Sequence, residues 1–232
     1  MWPYFFIDYW YIVLVLPVMI LSLVIQAVMK STYHKYSSVR VGTGCTGAEM
    51  ARRVLSENGI YDVTISVAEG ELTDHYDPKS KTIRLSRNVH DGMSVSALGV
   101  ACHEAGHAVQ HAQSYFPLVA RNTIVPAVNF CSGISWFVLI IGIFMQYDFM
   151  ITLGIILFAS AAIFQLITLP VEFNASKRAI ASLEQSHLLS NEELNGTKKV
   201  LSAAAMTYVA ALAASLASLI RVIMLTRGNR RD

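Results

Sequence analysis

Charge is scarce in this chain. Only 15% of its 232 residues are Asp, Glu, Lys or Arg, while 54% are hydrophobic. That balance is too apolar for an ordinary soluble domain of this size. The net charge of +2 is small and no basic tract carries interleaved aromatics, so the chain has no mark of a nucleic-acid-binding protein. Three cysteines, Cys45, Cys102 and Cys131, are too few and too scattered for a disulfide framework. No basic residue precedes the first apolar run, and no small-residue cleavage site follows it. That run is therefore expected to be a retained anchor, not a cleavable signal.

What is present instead is long apolar runs. A bilayer-spanning helix needs about 20 mostly apolar residues, because a rise of ~1.5 Å per residue must cross roughly 30 Å. Tyr11 to Met29, Thr123 to Met145 and Phe149 to Val171 carry no charge, and Val200 to Ile220 lies between Lys199 and Arg221. Trp2, Tyr4, Tyr9 and Trp10 flank the first run like an interfacial aromatic belt. The expected fold class is a mainly α, multi-pass membrane protein with three to four transmembrane helices; the alanine-rich fourth run either crosses or re-enters. Residues 1–29 form the anchor, 30–121 a polar segment, 122–171 a helical hairpin, 172–199 a second polar segment, and 200–232 the last helix and a basic tail.

Of the 18 Lys and Arg, ten lie between Lys30 and Arg121, and four more are Lys177, Arg178, Lys198 and Lys199. None lies in the Gln146-Tyr147-Asp148 connection. By the positive-inside rule both polar segments face the cytoplasm. Arg227, Arg230 and Arg231 run against that rule if the fourth segment crosses.

The first polar segment reads as a compact α+β unit. Thr46 followed three residues later by Glu49 is a capping-box pattern, and Asn58-Gly59 is a helix stop, so about 46 to 58 is a short amphipathic helix. Val63 to Val67 alternates like a strand. Leu72 to Tyr76 and Thr82 to Ser86 flank a turn at Asp77 to Lys81, giving a hairpin. Ser94 to Ala112 is the next helix.

That helix carries His103-Glu104-Ala105-Gly106-His107. Histidines four apart lie on one helical face, about 40° apart and one turn along, where they can share one tetrahedral Zn2+ ion. Zinc lowers the pKa of bound water to roughly 7, and Glu104 sits where it can act as general base. Gly106 leaves room near the metal. A glutamate and two histidines together on an otherwise apolar flank are costly unless something uses them. The competing reading is an amphipathic helix that merely bears two histidines.

A zinc enzyme of this kind needs a third protein ligand. His111 lies ~12 Å from His103 along the axis, too far to share a metal, and reads as an exposed end-of-helix residue. Gln113 stands where a metzincin has its third histidine, and Gln110 where it has glycine. Glu172 follows the third apolar run directly; it is either the missing ligand, because a carboxylate there asks for a partner, or a solvated glutamate at a helix start after Pro170.

His-Glu-Ala-Gly-His at 103–107 together with Glu-Phe-Asn-Ala-Ser-Lys-Arg-Ala at 172–179 resembles the YugP-like neutral zinc metallopeptidases of bacterial membranes. Leu-Thr-Asp-His-Tyr-Asp-Pro at 72–78 and the run from Lys199 to Ala210 are similar to that family too. The resemblance covers nearly the whole chain, and its layout is like that of HtpX-type membrane peptidases. It implies His103, His107 and Glu172 as metal ligands, Glu104 as general base, and a small cytoplasmic α+β element of minigluzincin type. It also implies a protein or peptide substrate and the bacterial plasma membrane as location. Two positions depart from the pattern: Asn174 stands where an acidic residue is usual, and Ser176 where gluzincins place an aspartate that orients the first histidine. A hydroxyl can do this too, but less strongly.

The hairpin is either structural or an edge that pairs with an extended substrate. His75, Tyr76, Arg178 and Tyr208 are candidates for oxyanion stabilisation. Two rival functions remain. A site-two-type intramembrane protease would take its third ligand from an aspartate in a later span. A non-catalytic zinc scaffold would close its site with four protein ligands.

Overall fold

The computed structural model describes residues 8–228. Trp2 and Tyr4 of the expected aromatic belt lie outside them, as do Arg230, Arg231 and the side chain of Arg227. The order is a π-helical turn Tyr11–Val15, α1 (Leu16–Ser37), α2 (Gly47–Glu57), β1 (Thr64–Ala68), β2 (His75–Asp77), β3 (Thr82–Ser86), α3 (Arg87–His90), α4 (Val95–Ala112), α5 (Phe116–Phe144), α6 (Asp148–Ser186) and α7 (Asn191–Gly228). Four helical stretches, Tyr11–Ser37, Phe116–Phe144, Asp148–Ser186 and Asn191–Thr226, are long and apolar enough to cross a membrane. The motif-bearing α4 is not one of them.

Two compact units divide the chain. One holds Met1–Gln26, Ala120–Leu169 and Thr207–Asp232; the other holds Ala27–Val119 and Pro170–Met206. In the first, large apolar side chains such as Phe137, Ile140, Ile156 and Leu166 point outward, more than half exposed, as lipid-facing residues do. Small residues bring α5 and α6 together. A Cβ on Gly154 would stand 2.6 Å from Leu139, and one on Gly142 2.8 Å from the Ile151 nitrogen. Asp8, ahead of the first apolar run, receives Arg221 at 2.8 Å from Nε and 2.6 Å from Nη2. Arg221 closes the fourth run, so the two ends of the sequence of spans meet within this unit.

The second unit is α+β. Thr46 caps α2 with the reciprocal pair expected: Glu49 N–H donates to Thr46 Oγ1, and Thr46 N–H donates to Glu49 Oε2. Met50, Val54 and Leu55 then face a core shared with Ile83 and Leu85 of β3, Leu98, Ala101, Cys102 and Ala105 of α4, and Ala179 and Leu183 of α6. The sheet order is β1-β3-β2, parallel between β1 and β3 and antiparallel between β2 and β3. The hairpin is present, but its first strand is shorter and later than expected. Leu72 has φ of 56°, which ends any extended run there, and pairing begins only at His75 opposite Arg84. Asp74 instead accepts from the Ser86 N–H at 2.7 Å and ties the loop to the end of β3.

The α6 helix runs without a break through Pro170. Proline removes one backbone donor, but neighbouring turns carry the helix on. Glu172 is therefore interior to a helix and 4% exposed, not a solvated residue at a helix start.

Candidate metal centre

The site lies wholly in the α+β unit, between α4 and α6. Ser94 caps α4 by accepting from the Ala97 N–H, and the helix carries Glu104 and His107, both buried, and the half-buried His103. Gly106 has a role other than the one expected. A Cβ there would stand 2.7 Å from the Ala175 carbonyl oxygen and 3.3 Å from its Cα. Glycine makes room for the α6 backbone, and that close approach brings Glu172 to the two histidines.

The donor atoms of His103, His107 and Glu172 all lie within 4.8 Å of one another. His103 Nε2 is 3.2 Å and His107 Nε2 3.5 Å from Glu172 Oε2. Ligands about 2.0 Å from a tetrahedral ion are separated by ~3.3 Å, so this spacing fits one zinc ion. Two neutral imidazoles and a carboxylate form a donor set suited to zinc. His111 is not part of it. It sits in the last turn of α4, half-buried and not exposed as expected, with its Nδ1 2.8 Å from the Tyr76 hydroxyl.

Each histidine is held through its other nitrogen. His103 Nδ1 lies 3.2 Å from Ser176 Oγ, so the serine occupies the place where the family resemblance leads one to expect an aspartate. His107 Nδ1 lies 3.0 Å from Gln110 Oε1. Gln110 is fully buried, and its Nε2 donates to the Val171 carbonyl and to Asn174 Oδ1, both at 2.9 Å. Those two acceptors fix the amide so that its oxygen faces His107. An amide oxygen only accepts; His107 Nδ1 must carry the proton, which leaves the Nε2 lone pair directed at the centre. Arg178 Nε donates to Asn174 Oδ1 at 2.7 Å and Nη1 to Gln113 Oε1 at 2.7 Å.

From the sequence, Gln110 had no role at the site, and Asn174 and Ser176 stood only as departures from the family pattern, with a hydroxyl at Ser176 as a weaker partner. The available signal was the three-residue spacing from His107 to Gln110, which puts both on one helical face. Orienting partners of this kind typically contribute 10–100-fold in metal affinity. Gln110→Ala is expected to weaken zinc binding by roughly that factor, measured by competition with a chelating dye. Unchanged affinity would mean that His107 needs no support from it.

Glu104 is buried, 8% exposed. Burial pushes its carboxyl up to about 7, with Glu172 and Asp74 adding to the rise and His103 and the Tyr76 backbone N–H opposing it. The Tyr76 N–H belongs to β2, one of the sheet's two edge strands, so this edge faces the Glu104 carboxylate. His75 and Tyr76, two of the other candidates, have partners of their own. His75 is exposed and pairs with the Thr73 carbonyl. The Tyr76 phenol, pushed up to about 12 by burial with Asp62 and Asp77 adding, engages His111. Tyr208 belongs to the other unit.

Comparison with known proteins gives two matches that cover most of the chain. A family model described as "Putative neutral zinc metallopeptidase" matches residues 11–227. A curated relative from Bacillus subtilis (strain 168), "Putative membrane protease YugP", is 50% identical over 212 residues, covering 91% of this chain and 94% of the relative. No solved structure matches the chain.

Proposed function

Because the chain belongs to the neutral zinc metallopeptidase family, we propose that it is a membrane-embedded zinc endopeptidase with Glu104 as general base. The observation that carries the reading is the convergence of His103, His107 and Glu172 donor atoms beside a buried carboxylate. His103 and His107 would hold one zinc ion through Nε2 and Glu172 through its carboxylate. When bound, zinc supplies Lewis acidity and an activated water. Glu104 accepts the proton of the attacking water and returns it to the leaving amine nitrogen, a role suited to a carboxyl whose pKa lies near neutrality. The free edge of β2 offers backbone groups to an extended peptide, which aligns the scissile bond along α4. The substrate is a protein or peptide, membrane-associated or misfolded. The concentration of Lys and Arg in residues 30–121 and 172–199 supports a cytoplasmic site in a bacterial plasma membrane.

The two rival readings lose support. A site-two-type enzyme would ligate its metal with an aspartate, and here a glutamate fills that place while the motif helix is not among the apolar spans. A closed structural site would need four protein ligands, and among the described residues three converge.

Metal removal tests the proposal. Detergent-solubilised protein stripped with a chelator is expected to stop hydrolysing an unfolded protein substrate and to recover when about one equivalent of zinc is returned. Full activity in metal-free protein would end the reading.

A further inference from the structure

We propose that a groove between α1 and α7, away from the metal centre, binds the phosphate-bearing headgroup of an anionic glycerophospholipid. The groove is a cavity of about 750 Å³ lined by one face of each helix. On α1 that face carries Val28 and, seven residues on, Lys35; on α7 it carries Lys198 and Lys199, then Ala203 and Met206. Seven helical residues span ~10 Å. The two helices therefore present the same gradient: apolar at one end, ammonium groups about 10 Å away.

The apolar end is the membrane-facing end of both sequences. Val28 closes the first uncharged run, which stops at Lys30, and Met206 lies inside the fourth, which starts after Lys199. An acyl chain beside Val28, Ala203 and Met206 would continue into the span. A phosphate ~10 Å further out would meet the lysines.

The charge balance favours an anion. Lys198 is neutralised by Glu184 at 2.6 Å. The Lys35 ammonium lies over the neighbouring Tyr36 ring, 5.7 Å from its centroid. Neither Lys35 nor Lys199 forms an ion pair with a carboxylate among the described residues. Both lysines line one groove, and no carboxylate among the described residues pairs with either. Lysines scattered to set topology need no shared cavity and no apolar slot aligned with them.

The test uses the full chain in an uncharged detergent, with phosphatidylglycerol as probe and bound lipid counted by native mass spectrometry. Phosphatidylcholine and inorganic phosphate serve as comparison arms. The wild type is expected to retain one phosphatidylglycerol per chain in preference to phosphatidylcholine. At about 1 kcal/mol per lysine near a phosphate, the pair Lys35→Gln and Lys199→Gln should weaken retention roughly 30-fold. Arg52→Gln with Lys79→Gln, the same charge change elsewhere, should leave it unchanged. Met206→Trp, which fills the apolar slot and spares the lysines, should weaken it too. Equal retention by the wild type and the lysine variant would overturn the proposal, as would equal loss in the Arg52 and Lys79 control. Displacement by inorganic phosphate together with no effect of Met206→Trp would overturn the lipid and leave a free-phosphate site.

Discussion

Glu104→Gln is expected to keep about one zinc per chain and to lose about 10²–10⁴-fold in kcat, the usual contribution of a general base. Glutamine matches glutamate in size, so the packing of α4 against β2 survives. What disappears is the group that takes a proton. Retained zinc with lost turnover separates an enzyme from a metal scaffold, and full turnover in the variant would remove Glu104 from the mechanism. The same substitution carries a stability signature in chelated protein. Burial raises the folded-state pKa from 4.5 to about 7. A carboxyl raised in this way contributes stability that is fully present below pH 4.5 and is lost as pH rises through about 7. The Gln variant has no such loss. Its melting temperature should rise relative to the chelated wild type as pH climbs from 5 to 8, with a difference on the order of 3 kcal/mol at the alkaline end.

The second large effect is Glu172→Ala. In the proposed site three donors would hold the ion, and among them Glu172 alone brings a negative charge. Without it two neutral imidazoles remain, and zinc affinity should fall well beyond the ~10–100-fold expected for an orienting partner such as Gln110. Zinc content of the purified variant beside the wild type gives the answer directly. Equal zinc in both would return Glu172 to the role of a helix residue and reopen the search for the third ligand. Glu172→Asp separates the loss of charge from the loss of reach: the charge survives, but the carboxylate sits one methylene short of His103 and His107.

The apolar runs and the motif were legible because each is local. A span is defined by its own residues, and two histidines four apart need only a helix to bring them together. The capping box at Thr46 and the N-cap at Ser94 follow from the same kind of short-range hydrogen bonding. The rest depended on contacts between segments distant in sequence. Pro170 and the change from apolar to polar at Glu172 suggested a boundary, yet polarity alone gives a helix no reason to stop. Gly106 pointed to space, but only the approach of Ala175 shows what fills it. Gln110 was read as a departure from another family's pattern, and its value came from Val171 and Asn174, some 60 residues away. Ser176 had the right spacing from Glu172, but its hydroxyl could be assigned to His103 only once the two helices were side by side.

The pairing of Asp8 with Arg221 has a consequence for how the protein is made. The two residues are 213 positions apart. At a synthesis rate of about 5–20 residues per second, the arginine leaves the ribosome roughly 10–40 s after the aspartate. Throughout that interval Asp8 lacks the partner it has in the folded chain. Final docking of the first helix in its bundle thus waits for the last. A nascent chain that stops short of residue 221 lacks this ion pair between the start of its first span and the end of its last long helix.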